Sequence, residues 1–163
     1  MRKLIAFAAA AAVTSVSAPA FAAADTDTLQ ITANVVNNCV VTASPMAFGT
    51  LANLGTANID TSATVSLACT PDAAYDVSMD LGLNASGSQR RLVNGADAAQ
   101  LIPYGLYTDA NRTNAWGNAV GSTVAGTAVG GTATLTAYGR IPSTAAAVTA
   151  GAYSDTVTVT VTF

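Results

Sequence analysis

Asp76 and Asp80 are the residues of this chain most easily read as a chemical pair. Two carboxylates at close range can serve as acid and base, or as acid and nucleophile, in sugar hydrolysis. They lie in a stretch where Tyr75, Val77, Met79 and Leu81 alternate with Asp76, Ser78 and Asp80. That alternation is a strand, so both carboxylates project from one face, about 13 Å apart along it. The spacing is too wide for a glycosidase pair and reads as a solvated face. Asp60, Asp72, Asp97 and Asp109 fall in turn-like sequence, where Asp is locally favoured, and none has calcium-loop spacing. His and Glu are absent. Without His there is no Ser-His-Asp or Cys-His apparatus and no His-ligated zinc. Trp116, Tyr104 and Tyr107 would stack a sugar if exposed, but aromatics this scarce more often pack a core or anchor a loop. No catalytic, cofactor or metal site follows, and an enzyme is not expected.

Two cysteines remain, Cys39 and Cys69. Their reading depends on compartment, which the first residues address. Arg2 and Lys3 precede an apolar stretch from Leu4 to Val16, and Ala20-Phe21-Ala22 is an A-x-A site. We expect residues 1–22 to be an export signal, cut after Ala22 or, as a close alternative, after Ala24. A membrane anchor is the other reading, weakened by Ser15, Ser17 and Pro19 and by the lack of a positive flank. In an oxidising compartment the even pair reads first as a disulfide, and as two buried thiols otherwise.

The chain has 163 residues, 9% of them charged, with a net charge of −3. Loss of the signal leaves Arg90, Arg91, Arg112 and Arg140 against nine Asp, a net of −5. With no basic patch, nucleic acid is not an expected partner.

The elements that must position these residues are strands. Leu29, Ile31, Ala33 and Val35 alternate with polar residues, and Cys39-Val40-Val41 starts a second strand. Residues 45–61 read as loop. Ala63–Cys69, Tyr75–Leu81, Arg91–Val93, Leu101–Thr108 and Thr132–Ile141 read as strands, with a tight turn at Asn94-Gly95. Residues 111–131 read as turn and Gly-rich loop around Trp116. Val157, Val159, Val161 and Phe163 alternate with Thr in one last strand. No amphipathic helix follows the signal. Seven or so short strands predict one β-sandwich. By periodicity alone, the strand at Leu29–Val35 either pairs within its own domain or leaves it to complete a neighbour by β-augmentation, with Asn37-Asn38 as hinge. Head-to-tail repetition of the second arrangement gives an open filament.

An ordered set of segments narrows this choice. It runs Cys39-Val40-Val41, Phe48-Gly49, Val65-Ser66-Leu67-Ala68-Cys69, Arg90-Arg91-Leu92, Tyr104-Gly105-Leu106-Tyr107, Trp116-Gly117, Tyr138-Gly139-Arg140-Ile141-Pro142 and Gly151-Ala152-Tyr153-Ser154-Asp155. In this order the chain resembles the spore coat protein U domain family, which includes pilin subunits of archaic, Csu-type chaperone–usher pili. The resemblance implies an all-β, incomplete immunoglobulin-like sandwich with an N-terminal donor strand. It divides the chain into a signal (1–22), a donor segment (23–37) and a domain (38–163). Leu29, Ile31, Ala33 and Val35 become donor side chains, and Val157, Val159, Val161 and Phe163 the strand bordering the acceptor groove. The implied partners are identical or related subunits in a head-to-tail polymer, a periplasmic chaperone whose basic cleft would take the carboxylate at Phe163, and an outer-membrane usher. The implied setting is periplasmic transit followed by a surface fibre serving adhesion or biofilm formation, with the length favouring a shaft subunit. A spore or cell coat protein and a secreted carbohydrate-binding module are the alternatives.

Overall fold

The computed structural model describes residues 21–163. The export signal expected at residues 1–22 falls almost wholly outside them. The chain divides between Asn34 and Val35, and each part is taken by itself. Residues 21–34 contain no strand or helix, and Leu29 and Ile31 are exposed. The strand expected at Leu29–Val35 is therefore absent from this monomer. Alternation provides an apolar face, but a strand also needs a neighbour for its backbone groups. Among the described residues, no helix is long and apolar enough to cross a membrane.

The second part is built from β1 (Cys39–Ala43), β2 (Ile59–Cys69), β3 (Ala74–Met79), β4 (Arg90–Asn94), β5 (Leu101–Tyr107), β6 (Val124–Thr127), β7 (Thr132–Ile141), β8 (Tyr153–Ser154) and β9 (Val159–Thr162). One short 3₁₀ turn spans Val129–Gly131. A six-stranded sheet runs β1-β2-β7-β5-β4-β8, and a three-stranded sheet runs β6-β3-β9. Every pairing is antiparallel. The fold is all-β, an immunoglobulin-like sandwich of two sheets.

The core follows from the alternation. Val65, Leu67, Val77, Met79, Ile102, Leu106 and Ile141 turn inward and are almost fully buried. Between them the strands present Thr and Ser, whose branching or small size suits the outer face of a pleat. Trp116 (1% exposed) and Tyr104 (5%) are buried in the core, the role expected of such scarce aromatics, and neither offers a face for sugar stacking. The Trp116 indole N–H instead donates to the Val77 carbonyl at 2.9 Å.

Several local expectations change. The hairpin between β4 and β5 is closed by residues 95–100, not by a two-residue turn. Asn94 is buried and accepts from the Ala96 N–H at 2.8 Å, which organises that longer loop. Within residues 111–131 lies β6, which pairs with β3. Asp60 sits in β2 rather than a turn, opposite Arg140 in β7. Arg140 grips it with Nε at 2.7 Å and Nη2 at 2.8 Å, and Arg112 Nη1 adds a contact at 3.2 Å. An exposed pair of this kind is screened by solvent, so it marks register more than it stabilises. Asp76 and Asp80 are half-buried, not wet. Asp76 accepts from the hydroxyl of Thr123, just ahead of the neighbouring strand β6, at 3.1 Å.

Cys39 and Cys69 form a disulfide and face each other across the β1–β2 ladder.

Candidate functional site: an open cleft beside β9

The chain changes sheets between β8 and β9. Tyr153 and Ser154 pair with β4 in the six-stranded sheet, while β9 pairs with β3 in the other. The single strand expected across Thr156–Phe163 is therefore broken, and Val157 lies in the crossover. Two aspartates hold that crossover. Asp155 Oδ1 accepts from the backbone N–H of Leu83 (3.0 Å) and Asn84 (3.2 Å) and from Asn84 Nδ2 (2.9 Å). Its Oδ2 accepts from the Tyr104 hydroxyl at 2.7 Å. Asp80 Oδ1 accepts from the N–H of Gly82 and Thr158, both at 2.9 Å. Gly82 has φ +78°, and a Cβ there would collide with the Asp155 carboxylate, so glycine is required on both counts.

Arg90 completes this support. It is 6% exposed, and its guanidinium donates to three carbonyls: Asp80 (2.9 Å), Met79 (3.1 Å) and Trp116 (2.9 Å). It thereby joins β4 of one sheet to the end of β3 in the other. Arg90 and Asp155 belong to the segments that carry the family resemblance, but sequence reading assigned neither a role of its own. The available signal for Arg90 was its parity with Leu92 in β4, which places a cation on an inward face, where it is rarely tolerated without partners.

These contacts set the titration behaviour. Burial works to raise Asp80, but the Thr158 and Gly82 N–H groups and the Arg90 charge outweigh it, so its carboxyl lies below the ordinary 3.8. The Arg140 hydrogen bond, then the Arg112 charge against a desolvation cost, also lowers Asp60. Both folded values lie below the unfolded one, so their contribution is present above about pH 4 and lost as pH falls further. Burial first, then the bond to Asp155, raises Tyr104 above its usual 10.0. Its proton is retained while unfolded tyrosine ionises, so stability is lost as pH rises above about 10. A thermal midpoint measured against pH should be flat between 5 and 9 and fall at both ends. Asp80→Asn should shrink the acid fall, and Tyr104→Phe the alkaline one.

Beside this scaffold lies a cleft of about 1490 Å³. A close-packed interior leaves few voids larger than a water molecule, and small-molecule sites run to about 300–1,000 Å³. Its apolar walls come from both sheets, including Val65 (β2), Met79 (β3), Ile102 and Leu106 (β5) and Val159 (β9). Phe48 packs edge-on against Tyr104 at 6.3 Å between centroids, and both belong to the wall. One side of β9 is paired with β3, while its other side has no strand among the described residues. β1 is likewise an edge, and its Cα atoms come within 8 Å of those of β9 without ladder pairing. An unpaired edge beside an open apolar space is a template for an added strand.

The residues singled out from sequence fall as follows. Val157 and Val159 line the cleft. Val161 is half-buried in β9 opposite Val77, and Phe163 follows the strand with 51% exposure; neither lines the cleft. Leu29, Ile31 and Val35 are more than four-fifths exposed. Ala33 is exposed as well.

An all-β sandwich with a sheet edge open on an unfilled interior defines the class. The chain belongs to the Spore Coat Protein U domain family, whose model matches residues 25–160. No curated protein matches it. Among solved structures it is similar to a chain of the CsuC–CsuE chaperone–tip adhesion subunit pre-assembly complex from archaic chaperone-usher Csu pili of Acinetobacter baumannii. There the TM-score is 0.53 and the identity 19%, over 79% of this chain and 40% of that one. A chain of a chaperone–tip adhesin complex of CFA/I fimbriae aligns at TM-score 0.42 and 14% identity, over 68% of this chain and 37% of that one. At that score the likeness is too loose to argue from. The chain thus spans about two-fifths of the length of the solved chains it matches.

Proposed function

We propose that this protein is a fimbrial structural subunit, polymerised when the N-terminal segment of one copy fills the cleft of the next. The observation that carries the reading is the cleft itself, an apolar space bordered by the free edge of β9. The chain also supplies an occupant. Leu29, Ile31, Ala33 and Val35 present one apolar face on a segment that forms no strand of its own. Backbone bonds to β9 would give affinity, and the alternate side chains would set register. In this reading residues 23–37 are the donor segment and 38–163 the acceptor domain. The repeated contact is head-to-tail, so it extends without closing.

Family membership supports the reading and extends it to partners. A periplasmic chaperone would hold the cleft until exchange, and an outer-membrane usher would guide assembly, after export directed by residues 1–22. The fibre would act at the cell surface in adhesion or biofilm formation. Electron microscopy of cells with and without the gene tests this. Thin fibres that vanish with the gene are expected. A continuous coat layer lost in their place would favour the coat reading.

A further inference from the structure

Cys39 is the first residue of β1 and Cys69 the last of β2, and the disulfide joins this outermost pair of the ladder. The residues just before Cys39 are tied to the residue just after Cys69. The Asn38 N–H donates to Thr70 Oγ1 at 3.1 Å, and the Thr70 N–H donates to the Asn38 carbonyl at 2.8 Å. The Thr70 hydroxyl donates to the Val36 carbonyl at 3.2 Å. Asn37-Asn38, read from sequence as a hinge, is therefore fastened on both sides.

Thr70 also opens the turn that carries the chain from β2 in one sheet to β3 in the other. That turn is pinned to the segment following β6. The Asp72 N–H donates to the Ala128 carbonyl and the Ala128 N–H to the Ala73 carbonyl, each at 2.9 Å. Ala73 and Ala128 are 1% and 0% exposed. Covalent bond, threonine clamp and buried turn thus form one block rooted in both sheets.

The position of the bond matters once the chain is pulled. β1 is a five-residue edge strand whose only ladder partner among the described residues is β2. A pull arriving through Val35–Asn38 and directed across the ladder would open it one pair at a time, starting at Cys39 and Cys69. Backbone pairs opened singly yield at a force on the order of 10 pN. The geometry points to the Cys39–Cys69 bond as the tension anchor of the fibre. It passes load from the donor segment to the junction of the two sheets and prevents β1 from peeling. This rests on the reading of residues 23–37 as the donor segment. It is distinct from the ordinary entropic benefit of a disulfide, which depends on the length of the closed loop and not on which ladder pair is joined.

Single-molecule pulling on the mature chain tests it, with one handle at the N-terminus, the other through a non-cysteine label at exposed Thr136 in the inner strand β7, and reductant introduced after tethering. The oxidised chain should show no extension before the main rupture of the sandwich. The reduced chain should show a separate early step, at a force several-fold below the main rupture. That step should release β1 and the loop leading to β2, a gain of about 70 Å. Cys39→Ser/Cys69→Ser should reproduce it where that variant folds, and reduction in place gives the answer where it does not. Onset of extension at the same force in both states would overturn the proposal. So would a reduced chain that collapses in one low-force event without the short step, because the bond would then serve only global stability. The donor-segment reading fails separately: an early step in chains that never polymerise refutes that reading and leaves the mechanical result standing.

Discussion

Deletion of residues 23–34 is expected to abolish polymer formation while the sandwich, held by a chaperone, still folds. Two large donor side chains go with it, Leu29 and Ile31, together with Ala33. Burial of each large one is worth roughly 1.5–3 kcal/mol, so the pair accounts for about 3–6 kcal/mol of contact. That is about 10²- to 10⁴-fold in affinity, before the backbone bonds to β9 are counted. Assembly at micromolar concentration does not survive such a loss. None of the deleted residues belongs to the sandwich, since the second structural unit begins at Val35. A shortened chain that builds fibres at the normal rate would remove the donor role from this segment. Ile31→Asp within the intact segment is the finer version, because it would place a carboxylate where an apolar side chain is required.

The second large effect concerns Arg90. Arg90→Ala removes the group that satisfies the carbonyls of Met79, Asp80 and Trp116 and leaves them facing a void. Unsatisfied buried acceptors cost about 1–3 kcal/mol each and do not add fully, so a loss of about 3–5 kcal/mol is expected. For a domain of this size that lowers the melting midpoint by roughly 10–20 °C. Arg91 makes the matched control. It is half-buried and donates to Asn84 and Ala85 at 2.9 and 3.3 Å, so Arg91→Ala should cost about 1 kcal/mol. Trp116, the only tryptophan and fully buried, reports both transitions. Equal midpoints for the two variants would contradict the bracing role of Arg90.

What was legible in the sequence depended on whether a signal was local. Period-2 alternation located β2, β3, β5 and β7, because inward and outward positions there differ sharply in polarity. It could not show where the last strand breaks. The Val–Thr alternation from Thr156 onward is uninterrupted, and the break is made by Asp155 through partners about 70 positions earlier. β6 was hidden by its brevity and by Gly126, which reads as loop. In the sandwich that glycine is where the Tyr75 ring lies against the backbone, at a distance no side chain would allow. The Leu29–Val35 segment has the pattern of a strand without forming one, which is what a pattern lacking a partner should do. Periodicity alone did not show the cleft, since it is assembled from both sheets and from the loops around Phe48 and Val148; only the family resemblance, with its acceptor groove, pointed to it.

The most direct measurement adds a peptide of residues 25–38 to the chain lacking 23–34 and follows the Trp116 melting transition. A midpoint that rises with the logarithm of peptide concentration, at one peptide per chain, is predicted, and the Ile31→Asp peptide should fail to raise it. A midpoint unchanged at saturating peptide, in a chain already stable and monomeric, would mean that the cleft does not receive this segment.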